Sequence, residues 1–328
     1  MKMYLLIAVI LFAIELLYLF LAQRVNIVDK PNLRSSHKKV TVLGGGIIFI
    51  IGMWLWALFF GIHDPWFLLG LSLVALVSFA DDVHSVPNWI RLVIQFVAIL
   101  LIIHDIGLLK LDLWYWVLIV VIVSVGIVNA FNFMDGINGI TGGYSLIVIL
   151  SLIVMYNKCG LDLSMLVVVG ISLLVFCFFN FRNKALCFAG DVGAVSIAFI
   201  VIFCLCCLIN ITKDPTYIVF LGVYGVDTVL TIMHRIKLHE KLGQAHRKHA
   251  YQIMANELHI SHVVVSLIYM GIQALISAGL IWLPVNHYVY AALVLFLLAV
   301  AYLVFMKQYY HLHEEYLASV AEKQYNHD

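Results

Sequence analysis

The chain has 328 residues, of which 64% are hydrophobic and only 11% are charged, and its formal net charge is +1. Soluble domains carry about 25% charged residues, so this composition excludes an ordinary soluble protein and indicates an integral membrane protein. The small net charge also gives no reason to expect a nucleic-acid partner.

Eleven apolar stretches follow one another along the chain, and a helix that crosses the hydrocarbon core needs roughly 20 such residues. They lie near 3–22, 42–61, 66–80, 91–105, 113–130, 141–157, 163–180, 193–211, 217–233, 262–282 and 287–306. The third and fourth are short, so the sequence predicts an all-α polytopic bundle of about 11 (10–11) transmembrane helices. We expect a single integral membrane domain over 1–328, with a cytoplasmic tail at 307–328.

Lysine and arginine residues are concentrated in alternate connections. If the N-terminus is outside, only Lys2, Lys110, Lys158 and Lys213 of the 19 cations lie outside. Since cytoplasmic loops are enriched in Lys and Arg, the sequence predicts an N-terminus outside and a C-terminus in the cytoplasm.

Five aspartates lie in or beside the inside connections: Asp81, Asp82, Asp135, Asp191 and Asp227. Carboxylates are costly in or near lipid, so a set on one side of the membrane predicts a functional site there. A transporter usually keeps its polar groups near the membrane midplane. The position of these groups at one surface favours chemistry on cytosolic molecules over transport.

Two inside segments support a functional and a structural interpretation about equally. The first runs from Asp29 to Gly46. In the functional interpretation, glycine N–H groups at a helix start bind an anion. In the structural interpretation, the basic residues contact lipid head groups and the glycines allow tight helix packing. The second contains Asp81 and Asp82. This pair fits a hard cation such as Mg²⁺, or a solvated helix end followed by Asn88 as the next N-cap.

The next two segments are more specific. Asn129, Asn132 and Asp135 recur at i, i+3 and i+6, so they share one face if the helix continues, and such a row suits a polar ligand better than a structural ladder. A Gly-Asp-Val-Gly turn around Asp191 leaves that carboxylate unobstructed at the start of a span. We therefore favour metal ligation over an N-cap role for Asp191.

The last inside segment is the most basic and the richest in histidine. Its candidate binding residues are Asp227, Arg235, His246, Arg247 and His249. His246 and His249 could bind a transition metal, but they lack a nearby soft ligand. Alternatively, the imidazoles and guanidiniums form an anion clamp for phosphates.

Aspartates beside phosphate-binding elements imply an intervening cation, because an acidic cluster repels an anionic substrate. A phosphate monoester has a second pKa of about 6, so it is largely dianionic at neutral pH and needs no strong base. The barrier to joining two phosphates is then mainly charge repulsion and positioning, and a divalent metal and a cationic clamp reduce both.

Five motifs stand in a fixed order in these segments. They are D-x-P-N-x-R-x-x-H…G-G from Asp29, the pair Asp81-Asp82, N-x-x-N-x-x-D-G-I-x-G from Asn129, G-D-x-G from Gly190, and a final loop of Asp, Arg and His. Across nearly the whole chain they resemble the polyprenyl-phosphate N-acetylhexosamine-1-phosphate transferases, which include the phospho-MurNAc-pentapeptide translocases.

The resemblance implies that a UDP-N-acetylhexosamine donates its sugar-1-phosphate to a polyprenyl phosphate and releases UMP. The expected cofactor is Mg²⁺, with Mn²⁺ as the alternative ion. The expected location is the bacterial cytoplasmic (inner) membrane, among membrane lipids, with the active site facing the cytoplasm. A homodimer is an open alternative to a monomer.

The resemblance also implies residue roles. Asp81, Asp82 and Asp191 are the expected catalytic and metal-binding residues, and Asp191 is the best metal-ligand candidate. The expected substrate-binding residues are Arg34, His37, Asn129, Asn132, Asp135, Asp227, Arg235, His246, Arg247 and His249. The sequence leaves covalent attack by an aspartate and direct attack by the acceptor phosphate both open, and direct attack is our working hypothesis.

The final motif departs from two branches of the family. It reads His246-Arg-Lys-His-Ala-Tyr-Gln, unlike the three consecutive histidines of the peptidoglycan-precursor enzymes or the His-x-His-His of the GlcNAc-specific ones. It is similar to the H-R-x-H-A-Y-Q form of enzymes that start O-antigen or related glycans, often with 6-deoxy amino sugars. The rival hypotheses are a transporter or flippase and a lipid-phosphate phosphatase.

Overall fold

The computed structural model describes residues 1–31, 36, 39–109, 114–241 and 246–325. The predicted binding residues Arg34 and His37 lie outside the described residues. Most of the described chain is helical. The helices are α1 Lys2–Arg24, α2 Ile48–Phe60, α3 Pro65–Val83, α4 Asn88–Asp105, α5 Trp114–Met134, α6 Ile140–Val154, α7 Tyr156–Cys159, α8 Leu163–Asn180, α9 Gly190–Thr212, α10 Gly222–Lys237, α11 Ala250–Asn256, α12 His262–Trp282 and α13 His287–Tyr325.

Among the described residues, the regular elements other than α-helices are short. Two short strands, β1 (Val28–Asp29) and β2 (Thr41–Val42), form an antiparallel ribbon. Two 3₁₀ segments, Gly45–Ile47 and Pro215–Leu221, lead into α2 and α10. The ribbon brings the segment after α1 back to the start of α2.

The predicted apolar stretches all correspond to helices. Nine helical segments of the described chain are long and apolar enough to cross a membrane, and Gly45–Phe60 and Ile140–Val154 are shorter apolar helices. The third and fourth stretches, which are short in the sequence, become helices of 19 and 18 residues. The all-α polytopic membrane fold is therefore confirmed, while the orientation of the termini stays a prediction.

Helix α9 lies at the centre of the bundle. It packs against α2, α3, α5 and α6, and most of its side chains are buried on every face. A helix that is apolar all round lies in a protein core or in lipid, and the burial of α9 on every face places it among other helices. Its N-terminus, Gly190 and Asp191, is therefore held in the middle of one end of the bundle.

The glycines before α2 serve close packing against this N-terminus. A Cβ on Gly46 would lie 2.2 Å from the Cα of Gly193. The N–H groups of Gly45 and Gly46 donate to the carbonyls of Phe188 and Ala189 at 2.9 and 3.0 Å. Since these two amides already have protein partners, the structure supports the helix-packing interpretation over an anion cradle at this position.

Candidate active site

A cavity of about 320 Å³ opens at the end of the bundle where α3, α5 and α8 finish and α9 begins. Its lining includes Asp29, Asp82, Asn132, Asp135, Asp191 and Gln252. All five predicted loop segments contribute to this list, the last of them through Gln252. The expectation that these segments meet at one end of the helices agrees with the structure.

Asp82 binds the N-terminus of α9. Its Oδ1 accepts a hydrogen bond from the backbone N–H of Asp191 at 2.8 Å, and its Oδ2 accepts one from Val192 at 3.0 Å. The first N–H groups of a helix have no partner within the helix, and a carboxylate there is also favoured by the helix dipole. Asp82, which comes from α3, therefore caps α9, and the Asp191 side chain is left for other contacts.

Gly190 makes this cap possible. Its φ is +71°, in the left-handed region that favours glycine. A Cβ at Gly190 would also lie 2.6 Å from Oδ2 of Asp82. The glycine before Asp191 is thus required by the backbone turn and by the close approach of the carboxylate.

The Asp191 carboxylate has a partner on each oxygen. Oδ1 accepts a 2.7 Å hydrogen bond from Asn132 Nδ2, and Oδ2 pairs with Arg91 Nη2 at 2.7 Å. The other guanidinium nitrogen of Arg91, Nη1, lies 2.6 Å from Oδ2 of Asp81. Arg91 therefore bridges Asp81 and Asp191 and holds Asp191 in one orientation.

Arg91 was not among the site residues predicted from the sequence. In the sequence, only the position of Arg91 shortly after the Asp81-Asp82 pair, in the same connection, could have indicated this role. Asp81 itself also accepts a hydrogen bond from the backbone N–H of Val86 at 2.6 Å, and it is not among the described residues that line the cavity. The described contacts of Asp81 are thus to Arg91, to the loop backbone and to the neighbouring Asp191 carboxyl group.

The three polar residues at i, i+3 and i+6 separate in the structure. Helix α5 ends at Met134, so Asp135 lies in the turn that follows. Asn132 faces the cavity, whereas Asn129 donates to the carbonyl of Val125 in its own helix at 2.8 Å. Only Asn132 and Asp135 of the predicted row line the cavity.

Asp135 is a carboxylate with an unusual protonation equilibrium. Burial raises its pKa from 3.8 to about 7, against an opposing hydrogen bond from Thr141, and the nearby charge of Asp191 adds to the increase. Because removal from water and a like charge both disfavour the ionised form, this site would gain from a bound cation.

Residues missed by the sequence analysis complete the lining. Asn138, Asn180, Gln252 and His262 all border the cavity. Asn138 Oδ1 is buried without a hydrogen-bond partner, which leaves an acceptor for a ligand. Asn180 instead accepts from the backbone N–H of Gly139 at 2.7 Å. Asn138, Asn180 and Gln252 stand inside or beside the motifs, whereas nothing in the sequence indicated His262.

Asp227 forms a buried anchor away from this lining. It is 3% exposed. Its Oδ2 accepts from the Tyr269 hydroxyl at 2.6 Å, and its Oδ1 lies 3.2 Å from both His249 Nδ1 and the Ala250 backbone N–H. Asp227 therefore fixes the ring of His249 and the start of α11.

Three cations in and after α10, Arg235, Arg247 and Lys248, are paired within the protein. We call the described residues 238–241 and 246–249 the basic loop. Glu240 binds both Arg235 and Lys248, and Glu257 binds Arg247 at 2.8 Å. The predicted anion clamp is therefore partly neutralised by its own carboxylates.

The two histidines of the basic loop are close together. The rings of His246 and His249 lie 5.0 Å apart. Burial lowers the pKa of His246 to about 3, with His249 and Arg235 adding to the decrease. Its ring is therefore neutral at neutral pH. No group of three His, Cys, Asp or Glu side chains able to hold a metal occurs among the described residues, so the transition-metal interpretation gains no support.

The basic loop borders the cavity through α11. The Tyr251 hydroxyl donates to the carbonyl of Phe133 at 2.8 Å. The Phe133 ring lies 6.1 Å from the ring of His246 and 6.5 Å from that of His249. The two histidines therefore pack beside Phe133, two residues before Asp135 in the chain, and Gln252 of α11 lines the cavity itself.

The cavity offers an oxygen donor set that fits a hard divalent cation. Asp82, Asp135 and Asp191 line the same space. The described residues form no complete cage of three close ligands. Mg²⁺ usually binds one or two protein carboxylates, keeps several waters and takes its other oxygens from substrate phosphates. The residues present fit that mode of binding.

Comparison with known proteins agrees with these motifs. Residues 65–209 match the model of glycosyl transferase family 4. The match runs from the start of α3 to near the end of α9. The resemblance to the polyprenyl-phosphate N-acetylhexosamine-1-phosphate transferases is thereby confirmed. The matched region contains Asp82, Asn132, Asp135 and Asp191, whereas the basic loop lies beyond it.

Several known bacterial transferases align over most of this chain. A probable undecaprenyl-phosphate N-acetylglucosaminyl 1-phosphate transferase of Bacillus subtilis is 28% identical over 294 residues, covering 80% of this chain and 81% of the relative. An undecaprenyl-phosphate alpha-N-acetylglucosaminyl 1-phosphate transferase of Salmonella typhi is 26% identical and covers 88% and 87%. A phospho-N-acetylmuramoyl-pentapeptide-transferase of Thermotoga maritima is 25% identical and covers 63% and 72%.

Proposed function

We propose that this protein transfers an N-acetylhexosamine 1-phosphate, specifically that of an N-acetyl-6-deoxyhexosamine, from a UDP-sugar to undecaprenyl or another polyprenyl phosphate. The product is the lipid-diphosphate-linked first sugar of a cell-surface glycan such as an O-antigen or capsule. The observation that carries this proposal is the convergence of Asp82, Asp135 and Asp191 on one cavity at the end of a membrane bundle.

The reaction joins two anions. An oxygen of the acceptor phosphate attacks the β-phosphorus of the donor, the bond from that phosphorus to the bridging oxygen breaks, and UMP leaves with the electron pair. A phosphate monoester is largely dianionic at neutral pH, so proton removal is a small part of the barrier. Positioning and charge stabilisation are the main contributions required of the protein.

The residues of the cavity would divide these tasks. Asp191, supported by Asp82 and Asp135, would hold Mg²⁺, or Mn²⁺ in its place, which neutralises charge on the diphosphate. Arg91 and Asn132 keep the Asp191 carboxylate in one orientation through contacts of 2.7 Å each. Asn138, with its unpartnered buried oxygen, offers an acceptor to the donor molecule.

The choice of donor rests on the final motif. The names of the relatives indicate N-acetylglucosamine or N-acetylmuramoyl-pentapeptide donors for those proteins. Here the segment from His246 to Gln252 differs from the forms associated with both, and it resembles that of enzymes using 6-deoxy amino sugars. We therefore place the protein at the start of a surface glycan, in the bacterial cytoplasmic membrane with the cavity facing the cytoplasm.

The test is UMP release by purified protein in detergent with undecaprenyl phosphate and a panel of UDP-N-acetylhexosamines, with Mg²⁺ or with EDTA. Release that requires both lipid and metal, fastest with a 6-deoxy donor, is the expected result. A fastest rate with UDP-N-acetylglucosamine would overturn the donor assignment alone.

The same assay separates the rival hypotheses. A lipid-phosphate phosphatase releases inorganic phosphate and leaves no sugar on the lipid. A transporter or flippase releases neither UMP nor phosphate, but it moves a solute across a vesicle membrane. Either result in folded protein would overturn the transferase proposal.

A further inference from the structure

The last helix, α13, is longer than a membrane crossing requires. Its 39 residues span about 58 Å at 1.5 Å per residue, roughly twice the ~30 Å of the hydrocarbon core. The same helix continues without a break through most of the predicted cytoplasmic tail. Its second half is thus available for contacts outside the membrane.

One face of α13 packs on the elements that flank the basic loop. Tyr302 and Met306 are buried in a small cluster with Ala250 and Ile253 of α11. The Tyr302 hydroxyl lies 2.8 Å from Oγ1 of Thr231, which itself donates to the buried Asp227 carboxylate at 3.2 Å. This face of α13 is therefore linked through Thr231 to Asp227, which orients His249.

Further along the same face, α13 contacts Arg247 of the basic loop. Glu257, at the end of α11, accepts from Arg247 Nη2 at 2.8 Å and pairs with His313 Nδ1 at 2.9 Å. The Arg247 guanidinium lies over the Tyr316 ring, 4.2 Å from its centre. The Arg247 side chain is therefore held between a carboxylate and an aromatic ring that both depend on α13.

Lys248 is held in a similar way. Its ammonium lies 5.8 Å from the centre of the Tyr310 ring and binds Glu240. The Tyr310 ring also packs on His234 of α10, at 4.6 Å between ring centres. Consecutive cations of the basic loop thus have aromatic partners two turns apart on one helix.

We propose that the segment Tyr309–Tyr316 of α13 is a positioning element that holds the basic loop against the cavity and thereby supports binding of the diphosphate part of the donor. The inference rests on the proposed function for the identity of the ligand. The contacts themselves are independent of it. Cation–π and charged hydrogen bonds of this kind are strong enough to fix a side chain.

The experiment compares neighbouring positions on α13 that differ in the face they occupy. His313→Ala and Tyr316→Ala remove contacts to the basic loop. His311→Ala and Leu317→Ala change exposed positions of the same helix and serve as matched controls. His313→Asn restores an N–H donor near Nδ1, and Tyr316→Phe retains the ring beneath the guanidinium.

Two measurements are made on each full-length variant in detergent. The first is KM and kcat for the donor in the UMP-release assay. Loss of ligand binding without loss of chemistry raises KM and leaves kcat nearly unchanged. We expect His313→Ala and Tyr316→Ala to raise KM about tenfold, with the control, Asn and Phe variants within about twofold of the wild type.

The second measurement is amide hydrogen exchange in peptides covering residues 246–253, which reports local opening. We expect at least about tenfold faster exchange in His313→Ala and Tyr316→Ala and unchanged exchange in the controls. Equal exchange in His313→Ala and His311→Ala would overturn the positioning role, even if the wild type proved inactive with every donor. Faster exchange with an unchanged KM would overturn the link to donor binding alone.

Discussion

The carboxylate of Asp82 caps the helix that presents Asp191, with 2.8 Å between Asp82 Oδ1 and the Asp191 backbone nitrogen. Two aspartates that were both predicted from the sequence to lie at the metal, with Asp191 as the better ligand candidate, thus make different contacts. Asp82 uses both oxygens on backbone N–H groups, whereas Asp191 is held by the side chains of Asn132 and Arg91. Their substitution is expected to have different consequences.

Asp82→Asn should lower both stability and activity. An amide in this position keeps one acceptor oxygen but turns an NH₂ group toward a backbone N–H at the start of α9. Loss of a helix cap costs about 0.5–2 kcal/mol, so we expect a lower unfolding temperature in detergent together with reduced UMP release. An unchanged unfolding temperature would contradict the capping role.

Asp191→Asn should abolish turnover and leave folding intact. The Asn oxygen can keep the contact with Asn132, while the charge is lost and an NH₂ group replaces the acceptor that faces Arg91. Arg91 keeps its pair with Asp81. We expect UMP release at the level of the no-enzyme control, with an unfolding temperature close to that of the wild type. A near-normal rate would remove Asp191 from the catalytic assignment.

Arg91→Lys should reduce activity although the charge is retained. A single ammonium cannot bridge Asp81 and Asp191 as the planar guanidinium does. Because small errors in positioning are costly for catalysis, we expect kcat to fall by about 10- to 100-fold. Arg24→Lys, at an exposed position at the end of α1, is the matched control and should stay within about twofold of the wild type.

Gly46→Ala should destabilise the protein at the contact between α9 and the segment before α2. Its Cβ would lie 2.2 Å from the Cα of Gly193, whereas a Cβ on Gly126 would meet nothing within 4 Å. Overpacking of this kind costs about 1–3 kcal/mol. Thermal unfolding in detergent should show a clear decrease for Gly46→Ala and no decrease for Gly126→Ala, a control in the interior of α5. Equal behaviour of the two would contradict the packing interpretation.

Asp135 should make stability depend on pH in a defined direction. Burial raises its pKa from 3.8 to about 7, so the folded protein binds this proton more tightly than the unfolded chain. The stability that it contributes is complete below about pH 4 and is lost as the pH rises to about 7. In EDTA, the unfolding temperature of the wild type should therefore fall relative to that of Asp135→Asn between pH 5 and pH 7 and then level off.

Mg²⁺ provides the complementary measurement on the same two proteins. A cation that binds the ionised cluster only in the folded state stabilises that state by RT ln(1 + c/Kd), where c is the free Mg²⁺ concentration, so tighter binding gives more stability at the same concentration. It should raise the unfolding temperature of the wild type more at pH 8 than at pH 5.5. An equal increase at both pH values, or an equal increase in Asp135→Asn at pH 8, would argue against a cation at this carboxylate.

The sequence by itself determined the membrane architecture and the set of acidic and amide groups at one end of it. Apolar length is a local property, and each predicted span appears as a helix because spanning helices satisfy their own backbone hydrogen bonds. The convergence of Asp82, Asn132, Asp135 and Asp191 also followed from the sequence, since alternate loops of a bundle meet at the same end.

Only the tertiary structure decided which partner each of these groups has. Arg91 became a bridge between two aspartates, Asp82 became the cap of α9, and Arg247 was placed between Glu257 and Tyr316. The physical reason is that hydrogen bonds and ion pairs act over about 3 Å. Their partners depend on how helix ends far apart in the chain pack together, which spacing along the sequence does not specify.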